Sequence, residues 1–314
     1  MNIWQELPKP LLALAPMDDV TDAVFRRIIA GCASPDVYFT EFASVDGLQS
    51  AGRERVLEKL RFTDIERPLI AQLWGMHPAN YQKTAQELAG LGFAGIDINM
   101  GCPVPKIVKI GACAALMKNH SLAAEIIAAT RAGSGGLPVS VKTRVGYERP
   151  DASWTQFLLE QKLDALIVHG RTAKELSKVP NDWGLIERVR AQRDAINPAT
   201  VMIGNGDVVN RPHALGLANQ HKLEGIMIGR GVLKDPFAFV KESPWSGYNK
   251  SARLKLFIKH IELFKKTWGD SRNPASLKKF AKLYVNDFDG AVQLRSRLMA
   301  ADTTDDLLRI LAKS

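Results

Sequence analysis

Eight apolar, β-branched runs alternate with helix-like segments over the first 231 residues, and the tail that follows has none. This predicts a (β/α)8 (TIM) barrel followed by a small C-terminal helical-bundle domain. Several of the runs are apolar almost throughout, as strands covered on both faces are. The runs are Leu11–Met17, Val37–Phe42, Leu69–Trp74, Gly95–Asn99, Val139–Arg144, Ala165–His169, Val201–Asn205 and Gly225–Ile228. Between them, Tyr81–Ala89 and Ser121–Ile127 carry helical spacing. Gly92 and Gly133 stand where helices stop, Ser121 and Asp182 where they start. A doubly wound open sheet is the structural rival, because counting runs does not show closure. The barrel is favoured because the chemistry below needs one common rim.

After Gly231, segments 251–268, 275–287 and 290–300 read as helices, separated by Gly269–Pro274 and by Asp289-Gly290. A boundary near Glu242–Gly247 divides the chain into a barrel, 1–242, and a helical domain, 243–314. Charge follows the same division. Residues 241–314 hold 15 Lys/Arg against 8 Asp/Glu, the first 240 hold 27 against 25, and the whole carries +9. A basic tail of this kind favours a polyanionic partner, although a solvated Lys-rich helix surface produces the same count. The start, Met1–Pro8, has no basic region before an apolar run, so it does not read as a secretory signal. No apolar run is long enough to span a bilayer. Cys32, Cys102 and Cys113 have neither metal-ligand spacing nor an even disulfide framework, which points to reduced thiols and a cytoplasmic protein.

The strand ends carry the candidate chemistry. Asp97-Ile98-Asn99-Met100-Gly101-Cys102-Pro103 reads as a buried strand opening into a loop that bears one thiol. Taken alone, Cys102 is as well explained as an inert small apolar residue. Lys142, late in an apolar strand, is more readily explained by pointing at a ligand than by burial, since an unpaired buried charge is costly. His169 ends the next strand and is followed by Gly170-Arg171. Gln72 offers an amide donor and acceptor at the end of its strand; its ordinary role would be a bond to a neighbouring loop. Gly204-Asn205-Gly206-Asp207 and Gly229-Arg230-Gly231 follow the seventh and eighth runs, where barrels recurrently bind phosphate. Flavin mononucleotide (FMN) suits that site. No Gly-x-Gly-x-x-Gly run opens a helix, so a Rossmann-type nicotinamide site is not indicated.

These segments, together with Ala15-Pro16-Met17, Thr40-Glu41-Phe42, Gln72-Leu73 and His169-Gly170-Arg171-Thr172, resemble the FMN-dependent tRNA-dihydrouridine synthases in order and approximate spacing. The tail resembles that family's helical domain from Leu277-Lys278-Lys279 through Tyr284 and from Gly290 to Arg295. The resemblance implies reduction of the C5–C6 double bond of selected uridines in tRNA, with hydride from reduced FMN to C6 and a proton from Cys102 to C5. A thiol near its ordinary pKa of ~8.5 would still be mostly protonated and able to act as that acid. It implies a cofactor site of Pro16, Met17, Gln72, Lys142, His169, Asn205, Gly206, Asp207, Gly229 and Arg230, with Asn99 on the uracil edge and Arg171 lining the pocket. NADPH would reduce the flavin from solution. The target uridine would leave its stack, and Lys278, Lys279, Lys282, Arg295 and Arg297 would contact tRNA phosphates. A monomer bound to one tRNA is the default, with no membrane partner. One departure stands out: Cys113 occupies a position in Gly111–Leu116 where the family pattern has glycine. A flavin dehydrogenase of small pyrimidines would use a similar barrel but would not need the basic tail. A non-catalytic RNA-binding protein on the same scaffold would not need Cys102 or Lys142.

Overall fold

The computed structural model describes residues 2–269 and 271–314. Among the described residues nine strands form one parallel sheet: β1 (Leu11–Leu14), β2 (Tyr38–Phe39), β3 (Ala43–Ser44), β4 (Leu69–Trp74), β5 (Gly95–Met100), β6 (Val139–Arg144), β7 (Ala165–His169), β8 (Val201–Asn205) and β9 (Gly225–Ile228). β2 and β3 both pair with β4 and share one barrel position, so there are eight positions. The sheet closes where Ala13 bridges Val37 and the Leu14 amide donates to the Val37 carbonyl at 2.9 Å. Closure removes the open-sheet alternative and leaves the fold a (β/α)8 barrel.

Five of the eight expected runs coincide with strands residue for residue, and β5 extends one residue further than expected. The Val37–Phe42 run is broken because the Thr40 hydroxyl intervenes. Its Oγ1 accepts the Gln72 amide at 3.0 Å and donates to the Glu41 carbonyl at 2.7 Å, replacing ladder bonds. Of the expected helix starts, Asp182 caps Trp183–Ile196 through a bond from the Leu185 amide. The other is displaced: Asn119, not Ser121, caps His120–Gly133.

Side chains of alternate parity fill the barrel. Leu11, Ala13, Ile70, Ile167, Ile203 and Met227 form an interior cluster, closed at the N-terminal end by Trp4, which is fully buried. The opposite parity packs against the surrounding helices in a larger cluster that continues into the tail through Phe257, Ile261, Phe264 and Tyr284. Both strand faces are therefore covered, which is why the runs are apolar throughout.

The tail comprises helices Lys250–Trp268, Ala275–Lys278, Ala281–Tyr284, Ala291–Met299 and Thr304–Ala312. The segment expected as one helix over 275–287 is two short ones, with buried Phe280 between them stacked on Phe25 at 4.6 Å. Thr304–Ala312 was not anticipated; its polar start is a capping box between Thr303 and Asp306, and Leu307 and Leu311 are buried.

Arg272 ties tail to barrel. It donates to Asp22 at 3.0 Å, lies 3.5 Å from Glu58 and 3.7 Å from Glu41, and sits over Trp268 at 4.1 Å. Glu41 is fully buried, and burial holds its carboxyl above the usual range. Removing Arg272 leaves three carboxylates without this partner. We expect Arg272→Ala to lower stability by about 1–3 kcal/mol, read as a lower urea midpoint. A midpoint unchanged from wild type would show the cluster to be energetically idle.

Candidate active site

The interior parity continues to the C-terminal ends of the strands, and there it changes from apolar to polar. Gln72 on β4, Asp97 and Asn99 on β5, Ser140 and Lys142 on β6, His169 on β7 and Asn205 on β8 share the parity of the interior cluster. Register aligns them laterally: Gln72 with Asp97, Asp97 with Ser140, Asn99 with Lys142, and His169 with Asn205. One rim thus collects the residues singled out from separate stretches of sequence.

Asn99 organises the thiol loop. Its Oδ1 accepts the amides of Gly101 at 3.1 Å and Cys102 at 3.0 Å, and its Nδ2 donates to Gln72 Oε1 at 3.1 Å. Gln72 in turn donates to Asp97 at 2.7 Å, and Ser140 donates to the other Asp97 oxygen at 2.6 Å. The chain of bonds runs from the barrel interior to the backbone of Cys102. Asn99 and Gln72, expected as contacts to a bound base and ring, use these amide groups within the protein, and Gln72 is fully buried. Arg144 fastens the same loop, donating to the Gly101 carbonyl at 3.0 Å and to the Thr172 and Leu176 carbonyls at 3.0 and 2.9 Å.

Cys102 itself is half-buried. Hydrogen bonding by the Cys113 thiol, opposed by burial and aided by the Val104 amide, brings its pKa down to about 7. This corrects the expectation of a thiol near its ordinary value: at neutral pH the protonated and ionised forms are comparably populated.

Positive charge accumulates behind the loop. Burial, with Arg144 adding to it, lowers the Lys142 ammonium to about 8, and its counter-charge Asp97 is itself raised by burial to about 6. Burial first, and then the cations Lys142, Arg144, Arg171 and Arg230, push His169 down to about 2, so its ring is neutral at working pH. The Arg171 amide donates to His169 Nδ1 at 3.3 Å, which leaves the ring proton on Nε2 as a donor. Arg171 is 3% exposed; it donates to the Val179 carbonyl at 2.6 Å and pairs with Asp207, and its Nη1 has no partner.

The loops after β8 and β9 meet here. Asp207 also accepts from Arg230 at 3.0 Å, and Arg230 is largely exposed. Asn205 donates to the Met227 carbonyl at 2.8 Å. Gly206 has φ +130°, and a Cβ there would lie 2.0 Å from Asn181 Oδ1, so only glycine fits. Gly229 is different, since a Cβ would meet only Ala15 at 3.5 Å and Met17 at 3.8 Å. Gly229 and Met17 thus border one another, with Pro16 between Ala15 and Met17 in the chain.

Three participants were not singled out from sequence. Asp97 and Arg144 lie in quoted motifs, and strand parity would have marked Asp97 as inward. Asn181 gave no signal; its side-chain amide is buried against Gly170 and Gly206 with neither atom partnered. In the tail, Lys278, Lys282 and Arg295 line one groove with Val292 and Met299. Lys278 donates to the Met299 carbonyl at 2.8 Å and Arg295 to the Val285 carbonyl at 2.6 Å. Lys279 reaches across to the Asp19 carbonyl on the barrel, and Lys282 and Arg297 are exposed. Lys278, Lys282 and Arg295 thus share one groove, whereas Lys279 turns to the barrel. Among the described residues no helix is long and apolar enough to cross a membrane.

A closed parallel barrel with a thiol, a half-buried lysine and clustered guanidinium groups at one rim defines a barrel enzyme of the α/β class. Residues 13–313 match the family described as dihydrouridine synthase, and the chain belongs to that family. A probable tRNA-dihydrouridine synthase of Staphylococcus aureus (strain COL) is 44% identical over 302 residues, 95% of this chain and 91% of that protein. A probable tRNA-dihydrouridine synthase 2 of Bacillus subtilis (strain 168) is 41% identical over 314 residues, 99% and 95% of the two chains. Among solved structures, morphinone reductase superposes with TM-score 0.52 at 12% identity, covering 76% of this chain and 86% of that one. The old yellow enzyme homologue from Zymomonas mobilis gives 0.51 at 13%, covering 75% and 90%. These structural likenesses support the barrel fold.

Proposed function

We propose that this enzyme reduces the C5–C6 double bond of uridines in tRNA, with Cys102 as the acid that protonates C5. The observation that carries the reading is the Cys102 thiol, half-buried and locked by Asn99 on the rim where Lys142, Arg171 and Arg144 concentrate positive charge. What supports a flavin beside it is the donor set: Arg171 Nη1 and the Asn181 amide are buried without partners, and the charges exceed the carboxylates that face them. A phosphate-bearing, anionic ring system satisfies both needs. In this reading Met17, Pro16, Gly229, Arg230, Asn205, Gly206 and Asp207 border the FMN site, and Lys142 and His169 face its ring. FMN, when bound, supplies the hydride for C6, and NADPH is the proposed source of reducing equivalents.

The chain's own residues do the rest. His169 Nε2–H and the Lys142 ammonium line the pocket shared by ring and uracil, where the Lys142 charge would stabilise negative charge on the ring. Cys102 Sγ–H releases its proton to C5 and is left as a thiolate, which the Cys113 thiol and the Val104 amide stabilise. Arg144 keeps the loop from swinging away from the rim. A uridine must leave its stack to reach this depth, and Lys278, Lys279, Lys282, Arg295 and Arg297 are proposed to hold the polyanion while it does so. A cytoplasmic monomer acting on one tRNA completes the proposal; the basic tail favours it over reduction of free pyrimidines.

Dihydrouridine mapping of tRNA from cells lacking the protein tests this reading. Loss at a defined position, restored by the wild-type chain, is the expected result. An unchanged map, together with no dihydrouridine formed by the purified flavin-loaded protein, would overturn it. A pH profile checks the acid. Because a proton donor must be protonated, single-turnover reduction should fall as pH rises through about 7, where Cys102 titrates. A rate that rises across the same interval would assign the proton to another group.

A further inference from the structure

The fold gives Cys113, in the loop that follows Cys102, an unusual position. Its φ is +54°, in the left-handed region that a residue with a Cβ rarely adopts. Its side chain is fully buried. The following amide, Ala114 N–H, donates to the Cys102 carbonyl at 3.3 Å, so the two cysteine backbones run in direct contact. The thiols are near enough neighbours that Cys113 is the chief influence lowering the Cys102 pKa. Cys102 is half-buried on the open rim, whereas Cys113 is sealed behind it, so a small solute meets Cys102 first.

An accessible thiol with a buried neighbour is the arrangement of a peroxide-reactive pair: one sulfur is oxidised and the other resolves it. We propose that Cys102 and Cys113 form a reversible disulfide modification site whose oxidant is hydrogen peroxide or a small organic hydroperoxide. The Cys102 thiolate attacks the terminal peroxide oxygen; an S–O bond forms, the O–O bond breaks, and hydroxide (alkoxide from an organic hydroperoxide) leaves and takes a proton from water. Cys102 is then a sulfenic acid, oxidised by two electrons, and the peroxide is reduced. Cys113 sulfur attacks Cys102 sulfur; the S–S bond forms, the S–O bond breaks, and the oxygen leaves as water with the Cys113 proton. Exogenous dithiol returns both thiols by exchange. The pair would withhold the proposed acid under oxidative conditions and protect Cys102 from irreversible oxidation.

This inference uses the proposed role of Cys102 only for its consequence; the disulfide itself is read without any activity. Purified full-length protein, wild type or variant, is treated with hydrogen peroxide, alkylated and digested. The expected wild-type product is one cross-linked species joining the Cys102 and Cys113 peptides, lighter by two hydrogens and abolished by dithiothreitol. Cys32 serves as the internal control: burial raises its pKa to about 11, so it should be alkylated as fully as in untreated protein. In Cys113→Ala the cross-link is lost and Cys102 accumulates as sulfinic acid, by at least about tenfold over wild type at equal exposure. Cys113→Gly, which suits the left-handed backbone, should behave the same way and covers the case in which the alanine variant folds poorly. Absence of the cross-link in wild type, or equal sulfinic acid in wild type and both variants, overturns the proposal. Cross-linking without any dihydrouridine-forming activity would leave the pair standing and count against the acid role instead.

Discussion

Cys102→Ala is expected to lower the rate of uridine reduction by about 10²–10⁴, the range over which a positioned general acid acts. Flavin content and tRNA affinity should stay near wild type. The loop's main anchors do not involve the thiol, since Asn99 and Arg144 hold Gly101 and Cys102 through backbone atoms. Cys102→Ser should be little better, because a hydroxyl is a much weaker acid than a thiol. The measurement is single-turnover dihydrouridine formation with pre-reduced protein, alongside the flavin absorbance spectrum and a tRNA binding isotherm. A Cys102→Ala rate within about twofold of wild type would sink the acid assignment. A large loss accompanied by loss of flavin would instead show that the thiol matters to the site's structure.

The second large effect concerns stability. Arg26 and Glu66 are both fully buried and joined at 2.7 Å from Nε to Oε2. Arg26 also donates to the Thr21 carbonyl at 2.7 Å and to the Arg61 carbonyl at 2.6 Å. Burial pushes the Glu66 carboxyl up even with this partner in place. Truncation to Arg26→Ala therefore strands a buried acid and two carbonyls, and should cost about 3–5 kcal/mol. That is a large share of the ~5–15 kcal/mol by which domains are stable. The surviving folded protein should bind flavin more weakly. Thr21, which Arg26 holds, accepts the Met17 amide at 2.8 Å and so shapes the loop after β1. Urea denaturation of Arg26→Ala, Glu66→Gln and the double variant checks the idea. If the double variant is no more stable than Arg26→Ala, the cost does not come from the stranded carboxyl.

Legibility varied with the range of the interaction. Where a strand is covered on both faces, its apolar run is unbroken, and β4, β6, β7, β8 and β9 could be bounded from composition alone. β2 could not, because the break comes from Thr40 bonding to Gln72, a strand further on. The helix Thr304–Ala312 hid behind a polar start whose acidic residues are part of its cap. In the site, the thiol, the lysine and the histidine were visible as residue types out of place at strand ends. Their partners were not: Asp97 reads as one polar residue among apolar ones, and Asn181 as ordinary loop.

By itself the sequence determined which residues reach the rim, because a two-residue period and a parallel register put Gln72, Asn99, Lys142 and His169 on one side of consecutive strands. It also determined the basic character of the tail. Only the tertiary structure decided what those groups are chemically. Cys102 lies near 7 because a thiol eleven positions later folds back against it, and His169 is neutral because burial and four cations from β6 and the loops after β7 and β9 converge on it. Local periodicity sets direction, whereas dielectric environment and the approach of distant charges are properties of the assembled barrel.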